Sequence, residues 1–212
     1  MKVLIKSGHL IVIPENETEG RELAGWAELC AGHVFKLEPG RGSGLALSDL
    51  GPWEEACNVP ISVLSSALDP AIRLISNFAP TPFVLDGETY ATVESFWQGL
   101  KFDRKADRLR VAAMNGLEAK RAGSKQPYGA TVSYQGRLIP VGTWQHWELV
   151  ERACWAKFTQ NANARAALLG TGPRPLEHRP RRDSRTIPGV IMAEIWMKTR
   201  KRLRLEAKDI PD

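Results

Sequence analysis

Cysteine and histidine are scarce in this chain, and neither is patterned. Its 212 residues hold three cysteines, Cys30, Cys57 and Cys154, an odd and widely spaced set without a Cys-x-x-Cys. That argues against a disulfide framework or a zinc ribbon. Four histidines, His9, His33, His146 and His178, give no His-Glu-x-x-His or comparable spacing. A metal site would need long-range convergence that a sequence does not display, and none is expected. No apolar run approaches the roughly 20 residues of a membrane span, so no membrane partner is expected. The opening stretch, MKVLIKSGHLIVIPENE, lacks a sustained apolar core and a small-residue cleavage site, and a cytoplasmic protein is expected. What remains is an ordinary composition, 43% hydrophobic and 25% charged. It suffices for one good-sized core, or one domain with an appendage.

The charge is less even. The formal net charge is +5, and the excess is local. Arg174, Arg179, Arg181, Arg182 and Arg185 crowd one loop, and Lys198, Arg200, Lys201, Arg202 and Arg204 crowd the C-terminal stretch. Basic clusters suit phosphate or nucleic acid partners, although a terminal Lys/Arg run often serves only solubility. The loop is the better evidence, since a guanidinium bonds phosphate bidentately.

One stretch organises the rest: LISNFAPTPFVLDGETYATVESFWQGLKF, residues 74–102. Pro82 to Leu85 reads as a short strand, and Asp86-Gly87 is a hairpin signal. Thr92 has the chemistry of an N-cap. Val93, Phe96, Trp97 and Leu100 then recur at helical spacing as an apolar face. Glu94, Gln98 and Lys101 fall at i, i+4 and i+7, along a second stripe. Such a stripe is ordinarily a solvated helix face.

The words Ser76-Asn77-Phe78, Pro82-Phe83, Asp86-Gly87, Thr92-Val93-Glu94 and Phe96-Trp97-Gln98-x-x-Lys101-Phe102 resemble the signature of the YbiA-like family, also called NADAR (NAD- and ADP-ribose-associated) proteins. Glu118 to Gly123, Ala156 to Asn161, Leu168-Leu169-x-Thr171-Gly172 and Leu176-Glu177-His178 match in the same order, over about residues 72–205. The resemblance implies N-glycosidic bond cleavage, with ADP-ribose on a guanine base or ribosylamino intermediates of riboflavin synthesis as substrates; the alternative is a module that binds ADP-ribose without cleaving it. It implies no cofactor. Such chemistry passes through an oxocarbenium-like state, so a carboxylate belongs beside ribose C1.

Glu94 matches the motif glutamate, and either stabilises the cation or activates water. Asp183 matches an acidic position six residues beyond Glu177; its other reading is a partner for neighbouring arginines. Lys101, with Lys157 as a rival, would form a Schiff base if the ribose opens to an aldehyde. Asn77, Phe78, Trp97, Gln98, Trp144, Lys157, Arg182 and Arg185 are the expected substrate-binding residues. Relatives continue after the acidic residue with Trp-Gly-x-Gly, whereas Thr186 stands here where the tryptophan would be. Arg185 is a substitute for base stacking. An ADP-ribosylated nucleotide or nucleic acid is the expected partner; oligomeric state does not follow.

The fold expected is mainly α with a few short strands, an α+β arrangement. A YbiA-like helical domain over 72–212 carries an N-terminal α/β extension over 1–71, of unknown role. In the extension, strands at 2–6, 9–13 and 33–37 and a helix at 19–31 are expected, with 39–44 as a flexible connection rather than a phosphate loop. A strand within 58–68 leads into the domain. Downstream come a helix over 107–122 ended at Gly123, a hairpin across Gln135-Gly136, and a helix capped by Thr143 running to Gln160. A short helix over 163–169, a long loop over 174–189 and a last helix over 190–205 complete it. The segment 124–142 is longer than the connection similar proteins have there.

Overall fold

The computed structural model describes residues 1–6, 9–31, 33–39, 45–52, 57–180, 182 and 184–208. The glycine-rich run at 40–44 and Asp183 lie outside them. The chain forms two compact units, Met1–Val59 and Pro60–Asp212.

In the first unit, β1 (Lys2–Lys6) and β2 (His9–Ile13) pair antiparallel. Helix α1 (Glu17–Leu29) follows, started by Asn16, whose side chain accepts from the Glu19 N–H. An oxygen at that position satisfies one of the helix's free donors. β3 (His33–Pro39) then pairs antiparallel with β4 (Leu45–Pro52), with an irregularity between His33 and Phe35. β4 is not expected from the sequence: Ser48, Asp49 and Gly51 interrupt its apolar alternation. It forms as half of a two-stranded sheet.

The second unit is mainly helical, and this α+β architecture agrees with the expectation. β5 (Ile61–Ser62) is only two residues long and pairs parallel with β10 (Leu176–Glu177). Asp69 caps α2 (Pro70–Ile75). β6 (Phe83–Leu85) and β7 (Glu88–Tyr90) form a hairpin whose turn has positive φ at Asp86 and Gly87. The signature helix is α3 (Val93–Gly99), started by a reciprocal capping box between Thr92 and Ser95.

The single helix expected over 107–122 is two, α4 (Lys105–Ala112) and α5 (Gly116–Ser124). Asn115 breaks it: its side chain caps the N–H groups of Leu117 and Glu118, while Glu118 reaches back to the Asn115 N–H. Two strands, β8 (Thr131–Tyr134) and β9 (Arg137–Pro140), form the second hairpin, again with positive φ at both turn residues, Gln135 and Gly136. It is part of the core, because Val132, Tyr134 and Ile139 are buried. The Tyr134 hydroxyl donates to Asp86, which also binds Arg152.

α6 (Trp144–Gln160) starts at Thr143, but the Thr143 hydroxyl donates to the Pro140 carbonyl rather than capping the helix. α7 (Ala162–Gly170) and α8 (Gly189–Lys208) complete the unit. Val93, Phe96, Phe158, Trp196 and Leu203 are among the residues sealed in one core. Much of the basic charge on α8 is structural. Arg200 binds Thr171 and the Arg174 carbonyl, Arg204 binds the Gly172 carbonyl, and Lys198 pairs with Glu151. The Arg202 guanidinium lies 3.7 Å from the Trp155 ring centre. Among the described residues, no helix is long and apolar enough to cross a membrane.

His146 sits in this core without solvent contact. Its Nδ1 accepts from the Gly142 N–H at 3.2 Å, and burial pushes its pKa down to about 4. The unfolded chain therefore binds a proton that the folded chain refuses. Stability contributed by neutral His146 is complete above about 6.5 and is lost as pH falls toward 4. Thermal unfolding followed from pH 7 to 4 should show this decline, and His146→Phe should flatten it. An equal slope in the variant would assign the acid sensitivity elsewhere.

Candidate functional site

Every residue of α3 is buried, including its polar stripe. The solvated-face reading therefore fails for Glu94 and Gln98, which are 5% and 1% exposed. Both need partners there, because an unpaired buried polar group costs about 1–3 kcal/mol. Gln98 Nε2 donates to Glu94 Oε1 at 2.7 Å, and Lys120 Nζ lies 3.4 Å from the same oxygen. Glu94 Oε2 accepts no hydrogen bond from the described residues.

The close approach of α5 makes this possible. Gly116, Lys120 and Gly123 fall at i, i+4 and i+7, on one face of that helix. A Cβ on Gly116 would come within 2.8 Å of Phe78, and one on Gly123 within 1.9 Å of Gln98 Oε1. Gly123 is thus not the helix terminator expected from the sequence: α5 runs through it to Ser124, and its missing side chain leaves room for the amide.

A second support lies beneath. Lys157 is fully buried, and its ammonium donates to the carbonyls of Ile75 and Ser76 at 3.1 and 2.7 Å. Burial lowers its pKa to about 7. The next carbonyl, that of Asn77, accepts from the Glu94 N–H at 2.9 Å. The Asn77 side-chain amide donates to Met192 Sδ, and its buried Oδ1 lacks a partner.

These residues border a cavity of about 300 Å³. Of the residues expected from the sequence, Asn77, Phe78, Glu94, Trp97 and Arg182 line it. Gln98 stands behind Glu94. Trp97 is held edge and face by Tyr128 and His146, with ring centres at 5.5 and 4.3 Å. The others lie elsewhere. Lys101 follows the end of α3, donates to the Gly123 carbonyl at 2.7 Å, and lines a separate depression beside Tyr128. Trp144 is half exposed and packs edge-on against Trp147. Arg185 is exposed. Asp183 is outside the described residues. The neighbouring Thr186 carbonyl accepts from the Trp147 indole at 2.7 Å, so an indole from α6 reaches the loop that lacks its own tryptophan.

Two lining residues, Lys120 and His178, lie in words that match the family but are not among the site residues expected from the sequence. Lys120 is one of several charges on α5, and only the glycines flanking it at helical spacing mark its face. His178 Nδ1 lies 2.8 Å from the Val63 carbonyl. A carbonyl only accepts, so Nδ1 carries the proton and Nε2 is the remaining ring nitrogen. The cavity therefore joins one carboxylate, two cations, one imidazole and two aromatic rings.

A signature helix carrying an inward carboxylate, with its cavity closed by an arginine-rich loop, defines a YbiA-like α+β domain. Residues 70–195 match the family model described as bacteriophage protein GP30.3, and the chain belongs to this family of YbiA-like proteins. An uncharacterized 17.1 kDa protein of Enterobacteria phage T4 is 31% identical over 112 residues, which is 49% of this chain and 70% of the phage protein. N-glycosidase YbiA of Escherichia coli is 34% identical over 109 residues, 49% of this chain and 61% of its own length. The alignment thus spans about three fifths of that relative. The solution structure of Escherichia coli YbiA shares the fold, with a TM-score of 0.55 at 23% identity, over 74% of this chain and 94% of the other.

Gly123→Ala tests the packing behind Glu94. The added methyl meets the Gln98 amide, and overpacking of this kind costs about 1–3 kcal/mol. Urea unfolding should show that loss, while Gly136→Ala, at an open turn, removes only the positive-φ preference. Wild-type stability in Gly123→Ala would mean that Gln98 is free to move away.

Proposed function

We propose that this protein is an N-glycosidase that hydrolyses the ribose C1–N bond of an ADP-ribosylated base, guanine in DNA, or of a related ADP-ribosyl nucleotide. The observation that carries the reading is the buried Glu94 carboxylate, fixed through one oxygen by Gln98 and Lys120 while the cavity keeps the other within reach. Relatives named N-glycosidase YbiA support the reaction class.

The residues divide the work as follows. Trp97 and Phe78 offer apolar walls for a base or a ribose face. Arg182 meets the pyrophosphate. Glu94 stands beside C1, where positive charge develops as the bond to nitrogen lengthens. Water attacks C1 and gives its proton to Glu94. The bonding pair leaves with the base nitrogen, which takes a proton from solvent. Lys120 Nζ lies 3.4 Å from Glu94 Oε1 and helps hold the carboxylate in place. Asn77 Oδ1, buried and without a partner among the described residues, accepts a hydrogen bond from a ribose hydroxyl.

A second reading rests on size. At about 300 Å³ the cavity is at the lower end for ligand sites, and a ribosylamino intermediate of riboflavin synthesis fills it more completely than ADP-ribose does.

Two expectations follow. DNA carrying ADP-ribosylated guanine, incubated with the protein and resolved by chromatography, should release ADP-ribose, and Glu94→Gln should slow release by roughly 10²–10⁴-fold. Equal activity in Glu94→Gln removes the carboxylate from the mechanism. Absence of release and of binding, with turnover of a ribosylaminopyrimidine, selects the second reading. Arg182→Ala should weaken substrate binding and make its salt dependence shallower by about one unit of log–log slope. An unchanged salt slope removes Arg182 from the phosphate contact.

A further inference from the structure

The first unit carries a side-chain cluster that the proposed reaction does not use. Cys30 closes α1, His33 opens β3, and Asp49 lies on β4. The Cys30 thiol reaches Asp49 Oδ2 at 3.5 Å, and His33 Nδ1 lies 2.8 and 3.0 Å from the two Asp49 oxygens. One donor atom from each residue lies within 4.8 Å of the other two. Two protons, one on sulfur and one on nitrogen, thus converge on a single carboxylate.

A divalent ion replaces such protons. Thiolate sulfur, imidazole nitrogen and carboxylate oxygen bind zinc at about 2.0–2.3 Å, which places donors about 3.5 Å apart around a tetrahedral centre. The Cys30–Asp49 spacing already matches that value, and the His33–Asp49 pair needs to open by only about 0.5 Å. Cys30 and His33 are half-buried and Asp49 is exposed, so an ion has access.

A second observation points the same way. Helix α1 buries none of its residues. Val3, Leu4, Leu10, Ile11 and Trp26 are all well exposed. A helix seated with so little burial is one that a structural metal, tying its end to the neighbouring strands, would hold in place.

We propose that Cys30, His33 and Asp49 form a zinc site, with water in the fourth position. It links the end of α1 to both strands of the β3–β4 sheet. The ion enters with loss of the Cys30 and His33 Nδ1 protons, leaving sulfur, nitrogen and a carboxylate oxygen as its ligands. The cost of ionising the thiol is offset by the metal–sulfur bond.

The full chain, freed of metal by a chelator and dialysed against cobalt(II), tests this. One equivalent should bind and give the intense visible bands of a tetrahedral cobalt centre, together with a near-ultraviolet thiolate-to-cobalt transition. Zinc should displace it. Cys30→Ser should abolish the thiolate transition, and His33→Gln and Asp49→Asn should each weaken binding by at least about tenfold. Cys57→Ser, which removes the other cysteine of this unit, should leave the spectrum unchanged, with far-ultraviolet circular dichroism reporting on the fold of every variant. Glu94→Gln should bind cobalt as wild type does, so this outcome is separate from that of the glycosidase assay. A wild-type chain without the thiolate transition, or a Cys30→Ser variant that retains it, overturns the assignment.

Discussion

A lysine ammonium inside the core fixes the geometry on which the candidate site depends. Lys157 comes from the last turn of α6 and gives its charge to two consecutive carbonyls where α2 ends. The Ile75 carbonyl is one of the groups that a helix end leaves open, and the Ser76 carbonyl accepts from the Ala79 N–H as well as from the ammonium. Answered from below, they hold the chain in the path that brings the Asn77 carbonyl to the Glu94 N–H. A buried cation is costly, and here burial depresses its pKa markedly. An aliphatic residue would avoid that cost but would take the ammonium away from the Ile75 carbonyl. The arrangement trades stability for a defined loop, and that loop supplies Asn77 and Phe78 to the cavity.

The signature stretch was largely legible in the sequence. Thr92 and the Asp86-Gly87 turn carry strong local chemistry, and the structure uses both as read. Gln135-Gly136 and the approximate limits of α6, α7 and α8 were legible for the same reason. The polar stripe of α3 was not, because spacing gives the face a residue occupies and not what covers that face. Its cover is α5, and the evidence for it was spread over Gly116, Lys120 and Gly123, each with an easier local reading. Asn115 with Glu118 is a capping box in plain sight, masked by a helical pattern on either side. Convergence of Cys30, His33 and Asp49 depends on the pairing of β3 with β4, and β4 has no clear period of its own.

Charge shows a similar division. The two basic clusters look alike in the sequence, yet the C-terminal one is largely consumed in holding the chain together. Arg200 and Arg204 serve the carbonyls and hydroxyl of residues 171–174, where α7 gives way to the arginine-rich loop. Guanidinium suits this work because it offers several donors in one plane. In the loop itself, Arg179 pairs with Glu177 while Arg182 borders the cavity. A count of basic residues therefore overstates the charge offered to an anionic ligand.

The segment between α5 and α6 has a further consequence. Tyr128 donates its hydroxyl to the Trp97 carbonyl and rests against the Trp97 ring, and Tyr134 meets Phe96 edge-on. In sequence this stretch is only a connection between two helices. In space it is a stopper, driven into the back of the helix that carries Glu94. A chain with a shorter connection must seal that side by other means or let water reach it. Variation in this one segment is thus a route by which members of the fold can set how dry the rear of their carboxylate helix is, without altering a residue that faces the ligand.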